Sequence, residues 1–72
     1  MRSTYDRRSD ALYIYLADEG GKVSKTYPCD PREVNGEVNG EINLDFDASG
    51  RLIGIEVLEA SRLAPRPLLK GR

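Results

Sequence analysis

The 72-residue chain contains no histidine and no tryptophan, and only one cysteine and one phenylalanine. Without histidine it has neither the usual near-neutral proton shuttle nor the commonest metal ligand. A single cysteine closes no intrachain disulfide and fills no zinc site, so the two common staples of very small domains are excluded. No apolar run approaches the ~20 residues of a membrane span. Met1-Arg2-Ser3-Thr4 lacks the pattern that opens a secretory signal, so a cytoplasmic protein without membrane contact is expected. Large charge of one sign is missing too: 11 basic and 12 acidic side chains leave a net −1. The glycine-rich phosphate loops GxGxxG and GxxxxGK[ST], the nucleophile elbow GxSxG and the zinc motif HExxH are all absent. These gaps together argue for a protein that is not an enzyme and carries no cofactor.

What remains is ordinary for one small globule, with 39% apolar and 32% charged residues. A chain this short hides only ~60% of its unfolded surface, so its own core is marginal. Self-association is the expected remedy, with a homodimer favoured.

Alternation of apolar and polar residues sets the elements. Met1 to Tyr5 reads as an edge strand, closed by the polar turn Asp6 to Asp10. Ala11 to Ala17 is the densest apolar run. Leu12, Ile14 and Leu16 share one face there, with Tyr13 and Tyr15 on the other. A strand apolar on both sides needs cover on both, from a core below and from a helix or a second subunit above. Gly20-Gly21 is expected to end it with positive φ. Lys22 to Tyr27 is a weaker strand that Pro28 should stop, because proline suits only a strand end or edge. Cys29 to Arg32 reads as loop.

From Glu33 the motif Glu-Val-Asn-Gly occurs twice and then continues as Glu41-Ile42-Asn43. Helical spacing would align Val34, Val38 and Ile42, but two glycines at ~1 kcal/mol each oppose a helix. A strand over residues 38–46 fits better, with Val34, Val38, Ile42, Leu44 and Phe46 on one face. Asn39, Glu41, Asn43 and Asp45 then face solvent. Residues 33–37 stay open, since Asn-Gly is also a hairpin signal.

Asp47 to Gly50 is a turn, and Arg51 to Glu59 is the last strand. Ile53, Ile55 and Val57 share one of its faces, and Leu52, Gly54, Glu56 and Leu58 share the other. A four-residue loop would pair Phe46 with Arg51 and stack Leu44 on Ile53 and Ile42 on Ile55. A three-residue loop with a bulge at Gly50 would flip the strand by one residue. The first is preferred because it stacks aliphatic on aliphatic.

Residues 1–60 carry 7 basic and 12 acidic side chains, whereas residues 61–72 carry 4 basic and none acidic. Ala60 to Ala64 has room for one helical turn before Pro65 and Pro67. The expected layout is a domain over residues 1–61 and a solvated basic tail over 62–72, in which Leu68 and Leu69 are too few to anchor much. Four separated cations without an aromatic platform do not suit a nucleic acid. The fold class expected is mainly β: an antiparallel sheet of about four or five strands with a short C-terminal helical turn.

Two blocks, Tyr5-Asp6 with Asp10-Ala11-Leu12-Tyr13-Ile14, and Leu44 to Ser61 with its Asp45-Phe46-Asp47 and Gly50-Arg51-Leu52-Ile53-Gly54-Ile55-Glu56-Val57-Leu58, carry a likeness. In them the chain resembles a small bacterial domain-of-unknown-function family, number 2283, over residues 4–61. The resemblance implies a short antiparallel-strand domain with no assigned activity, cofactor or site residues. It also implies, for members encoded beside toxin-like proteins, an antitoxin role with a small protein partner. The duplicated Glu-Val-Asn-Gly and the Pro-containing basic tail depart from the family pattern.

Few residues invite a chemical role. Asp45, Asp47, Ser49, Gly50 and Glu56 match the spacing of a calcium loop. An extended Arg51 to Glu56, at ~3.3 Å per residue, would carry Glu56 far from such an ion. Asp45 and Asp47 therefore stay as weak metal candidates, and a divalent-metal or small-ligand binder is the alternative function. Cys29 has an acidic neighbour and no activating base. A histidine-free enzyme built on carboxylates and tyrosines would require a pocket of at least ~300 Å³. Glu56 faces solvent or, if covered, needs a cation. Gly54 beside it leaves room for a ring such as Tyr13 or Tyr15. Tyr13, Tyr15, Leu52, Leu58 and Glu56 are the interface candidates, since tyrosines suit surfaces that are apolar with a polar rim.

Overall fold

The computed structural model describes residues 2–17, 21–37 and 39–70. Five strands form one antiparallel sheet: β1 (Arg2–Asp6), β2 (Ala11–Tyr15), β3 (Lys25–Cys29), β4 (Glu41–Phe46) and β5 (Leu52–Leu58), in the order β1-β2-β5-β4-β3. A single helical turn, α1 (Ala60–Leu63), follows β5. Pro31–Glu33 and Arg66–Leu69 form short 3-10 turns. The mainly β reading and the C-terminal helical turn hold.

Register divides the side chains cleanly. One face carries the cross-strand row Tyr5, Leu12, Val57, Ile42 and Cys29, and beside it Ser3, Ile14, Ile55, Leu44 and Tyr27. Leu12 (1% exposed), Val57 and Ala60 (0%) are buried at its centre, and Leu63, Ala64 and Leu69 pack against them. The C-terminal segment is thus the second layer of the domain. The solvated tail expected beyond residue 61 is corrected to that extent: residues 62–69 fold back over the sheet, and Leu69 helps to anchor them. Fully burying a side chain such as Leu12 contributes about 1.5–3 kcal/mol, so the loss of this cover would be felt.

Asp10 holds the layer in place. Its carbonyl accepts from Ala60 N–H at 2.9 Å. Its carboxylate accepts from Ser61 N–H at 3.0 Å, Ser61 O–H at 2.7 Å and Tyr5 O–H at 2.6 Å. Glu59, in left-handed conformation (φ 55°), precedes the helix without capping it by its side chain. Asp10 supplies that cap from the β1–β2 turn, satisfying amides that a helix start leaves free.

Several boundaries differ from the sequence reading. β3 runs from Lys25 to Cys29, straight through Pro28, because it is an edge strand and needs no donor on its outer side. β4 begins at Glu41, not at Val38, which lies outside the described residues. Gly40, at φ 150°, packs under the C-terminal layer: a Cβ there would come within 2.7 Å of Leu63 Cδ1 and 3.0 Å of the Leu58 carbonyl. The open segment 33–37 is turn, and Val34 is 93% exposed, so it does not join the core face. Gly20 lies outside the described residues, and Gly21 has no positive φ. Instead Gly21 lies where a Cβ would meet Ile53 Cδ1 at 3.2 Å.

The β4–β5 register is also corrected. The loop is three residues, 48–50, with Gly50 at φ 88° and the Asp47 N–H donating to the Arg51 carbonyl at 2.9 Å. Asp47 Oδ1 gathers the Ser49 amide, the Ser49 hydroxyl and the Arg51 amide at 2.7–3.0 Å. Phe46 therefore pairs with Leu52, and a bulge follows, so that Asp45 pairs with Gly54, Leu44 with Ile55 and Ile42 with Val57. Aliphatic stacks on aliphatic, two residues out of the expected register. The bulge also exchanges two side chains: Leu52 joins Phe46 on the core side, and Ile53 moves to the side of the tyrosines.

Candidate functional site

The second face of the sheet is built from two rows. Arg2, Tyr15, Gly54, Asp45 and Thr26 lie across the strands in one, and Thr4, Tyr13, Glu56, Asn43 and Pro28 in the next. Asp6, Ala11, Leu58 and Glu41 continue it. Among the described residues, no helix or strand lies over this face. Four interface candidates, Tyr13, Tyr15, Glu56 and Leu58, meet here. Leu52 does not, because the bulge turns it to the other side, where it remains 37% exposed.

Tyr13 organises the face. The hydroxyl end of its ring lies against Gly54, so closely that a Cβ there would overlap the Tyr13 hydroxyl and stand 2.5 Å from Cζ. Its hydroxyl donates to Asp45 Oδ2 at 2.6 Å, and Thr26 O–H donates to Asp45 Oδ1 at 2.6 Å. Burial, followed by the hydrogen bond to Asp45, pushes the Tyr13 phenol up to about 12. Tyr15 meets the Tyr13 ring edge-on, with centroids 4.7 Å apart, and the Arg2 guanidinium stacks 3.9 Å above the Tyr15 ring.

The expectation that Asn43 and Asp45 face solvent fails. They are 9% and 8% exposed. Residues across the sheet supply what they need: Tyr13 and Thr26 for Asp45, and Glu56, whose Oε1 accepts from Asn43 Nδ2 at 3.0 Å. Glu56 is thus half-buried and amide-bonded, neither freely solvated nor ion-paired among the described residues. Sequence reasoning also missed Thr26 and Asp10. A polar residue alternating with apolar ones was the only available signal, and it reads the same whether the polar side is wet or covered.

Asp45 and Asp47 do not converge. Asp45 takes two hydroxyl donors on the sheet, whereas Asp47 is used inside the hairpin loop, where the Arg51 and Ser49 hydrogen bonds hold its carboxyl below the usual range. Glu56 lies mid-sheet opposite Asn43, away from both. No group of three or more metal-ligating side chains occurs among the described residues.

Among the described residues, two concavities exceed the size a small ligand needs. One of about 380 Å³ lies beside Tyr13, Tyr15, Arg2, Asp45 and Ile53 on the open face. A wide one of about 770 Å³ lies between the Pro31–Glu33 turn and the start of β4, with Cys29 on its wall. The first belongs to the tyrosine face itself. In the second, Arg32 is occupied by Asp30 at 2.8 Å.

Among the described residues, no helix is long and apolar enough to cross a membrane. The model of a family described as a protein of unknown function, DUF2283, matches residues 2–61. No curated protein and no solved structure matches the chain.

Proposed function

The chain belongs to the DUF2283 family, and from that premise we propose a non-catalytic interaction module that associates with further copies of itself through the open tyrosine face. One observation carries this reading. The two faces of the sheet are unequally covered: the C-terminal segment packs over the aliphatic row around Leu12 and Val57, whereas among the described residues no second layer lies over Tyr13, Tyr15 and Leu58, which are half-buried. Among the described residues the buried hydrophobic core is Leu12, Val57 and Ala60, a small core for an independent domain.

The dimensions support it. The molecule measures 34 × 30 × 17 Å. With sheet layers ~10 Å apart, 17 Å is the thickness of two layers. The broad side is large enough for the ~800 Å² per partner that a stable interface buries. Its aromatic rings lie at the centre with Asp6, Glu41 and Arg2 toward the rim, and the central Asp45 and Glu56 accept hydrogen bonds from Tyr13, Thr26 and Asn43.

Catalysis and metal binding find less support. The carboxylates that a site could use are already accepting from Tyr13, Thr26, Asn43 and the hairpin amides. An antitoxin role would use the same face on a different protein. Titrating Tyr15→Asp and Leu58→Asp variants in sedimentation experiments tests the reading. Parent chain that sediments above the single-chain mass, with both variants reduced to it, is the result expected. Association unaffected by either change would show that another surface is used.

A further inference from the structure

The two broad sides of the molecule carry opposite charge. Among the described strand residues of the open face, register places Asp6, Glu41, Asp45 and Glu56 with Arg2 as the one cation, four carboxylates against one guanidinium, net −3. On the opposite side the covering segment, residues 60–70, carries Arg62, Arg66 and Lys70 with no acidic residue, net +3. All three cations are exposed. Arg62 alone has an acidic neighbour, Glu59, at a loose 3.6 Å. Among the described residues none of the four face carboxylates has a Lys or Arg within ion-pair distance.

Two copies brought together face to face would set −3 against −3. The same face set against the covering segment of another copy would meet an equal and opposite charge. Resting on the self-association reading above, we propose that the contact is head to tail: the acidic tyrosine face of one copy receives the Arg62–Lys70 side of the next. Tyr13 and Tyr15 offer ring faces to the incoming guanidinium groups, as Tyr15 already does to Arg2 within the chain. The Glu41 and Asp6 carboxylates at the margin fix register and repel a second acidic face. Such a contact uses two different patches, so it does not stop at two copies. It grows into a ring or a chain according to the rotation between neighbours.

Charge reversal at exposed positions tests this without touching the core. Asp6→Lys with Glu41→Lys takes the open face from −3 to +1. Arg66→Glu with Lys70→Glu takes the cover from +3 to −1. Head-to-tail contact predicts that neither double variant associates alone, that an equimolar mixture does, and that salt weakens the parent assembly, about tenfold or more between ~0.05 and ~0.5 M. Circular dichroism on each variant confirms that the sheet is intact. The proposal is overturned if the open-face variant self-associates as well as the parent and added salt tightens the parent. That outcome leaves self-association standing but makes it face to face. A folded parent that stays at the single-chain mass at every salt concentration removes the self-association reading itself.

Discussion

Adding one methyl group at Gly54 should cost this protein a large part of its stability. Gly54 lies under the Tyr13 ring, where a Cβ would overlap the hydroxyl and approach Cζ to 2.5 Å and Cε2 to 2.9 Å. The ring cannot slide aside freely, because its hydroxyl is tied to Asp45 at 2.6 Å and it packs against Tyr15 in an edge-to-face pair. In Gly54→Ala either the ring lifts and the hydrogen bond to Asp45 breaks, or β5 moves off β4. Losing a hydrogen bond to a charged, buried acceptor costs about 1.5–3 kcal/mol. Overpacking costs about 1–3 kcal/mol more. A domain of this length has about 4–11 kcal/mol in all, so the expected loss of about 3 kcal/mol or more removes roughly a quarter of it at least. Thermal unfolding at fixed protein concentration should show a Tm lower by ~10 °C or more. Tyr13→Ala in the same background removes the obstacle, so the double variant should be less destabilised than the two singles summed, by at least about 1 kcal/mol. A Gly54→Ala protein within ~0.5 kcal/mol of the parent, or strict additivity, refutes the reasoning.

Other expectations follow from the same geometry. Because the folded Tyr13 phenol is raised to about 12 from an ordinary 10.0, its contribution is fully present below pH ~10 and is lost as pH rises toward 12. Tyr5, raised by its hydrogen bond to Asp10, adds in the same direction. Denaturant midpoints should fall across that window and less so in Tyr13→Phe. At the other end, Asp10 is held below its usual 3.8, first by the Tyr5 hydroxyl and then by Ser61, so its contribution exists above that pH and disappears as acid titrates the folded carboxylate. Asp10→Ala should release the C-terminal layer before the sheet unfolds, seen as faster amide exchange at Ala60, Ser61 and Ala64 while β5 stays protected. Gly40→Ala should destabilise by about 1–3 kcal/mol through contact with Leu63 and a strained φ, measured by urea unfolding. Val34→Asp, at a position 93% exposed, should change stability by less than ~0.5 kcal/mol.

How much of this was legible in the residues varies along the chain. Period-two alternation in Ala11 to Tyr15 and Leu52 to Leu58 reports the strands, and it separates Leu12 and Ile14 from Tyr13 and Tyr15 correctly, because both patterns are local. The β4–β5 register was not legible. It depends on Asp47 gathering three donors in its loop and on a bulge at Ile53, and the two shifts together restore the aliphatic stacking that a simple hairpin also offers. The burial of Asn43 and Asp45 was hidden for another reason. Their partners are Glu56, Tyr13 and Thr26, which arrive from three other strands. The C-terminal cover has no periodic signature, since prolines interrupt it, and its anchor Asp10 stands 51 residues from Ser61. The tyrosine face could be suspected from Tyr13-x-Tyr15 and from Gly54 beside Glu56. That no second layer covers it among the described residues follows only from the C-terminal segment lying on the other side.

The central claim is that the tyrosine side of the sheet is completed by another copy of the chain. Sedimentation equilibrium on the intact protein from ~1 to ~100 µM at low salt addresses it most directly. The account predicts a weight-average mass that climbs above one chain over this range and falls back in Tyr15→Asp. A folded protein that holds the mass of a single chain throughout would contradict it.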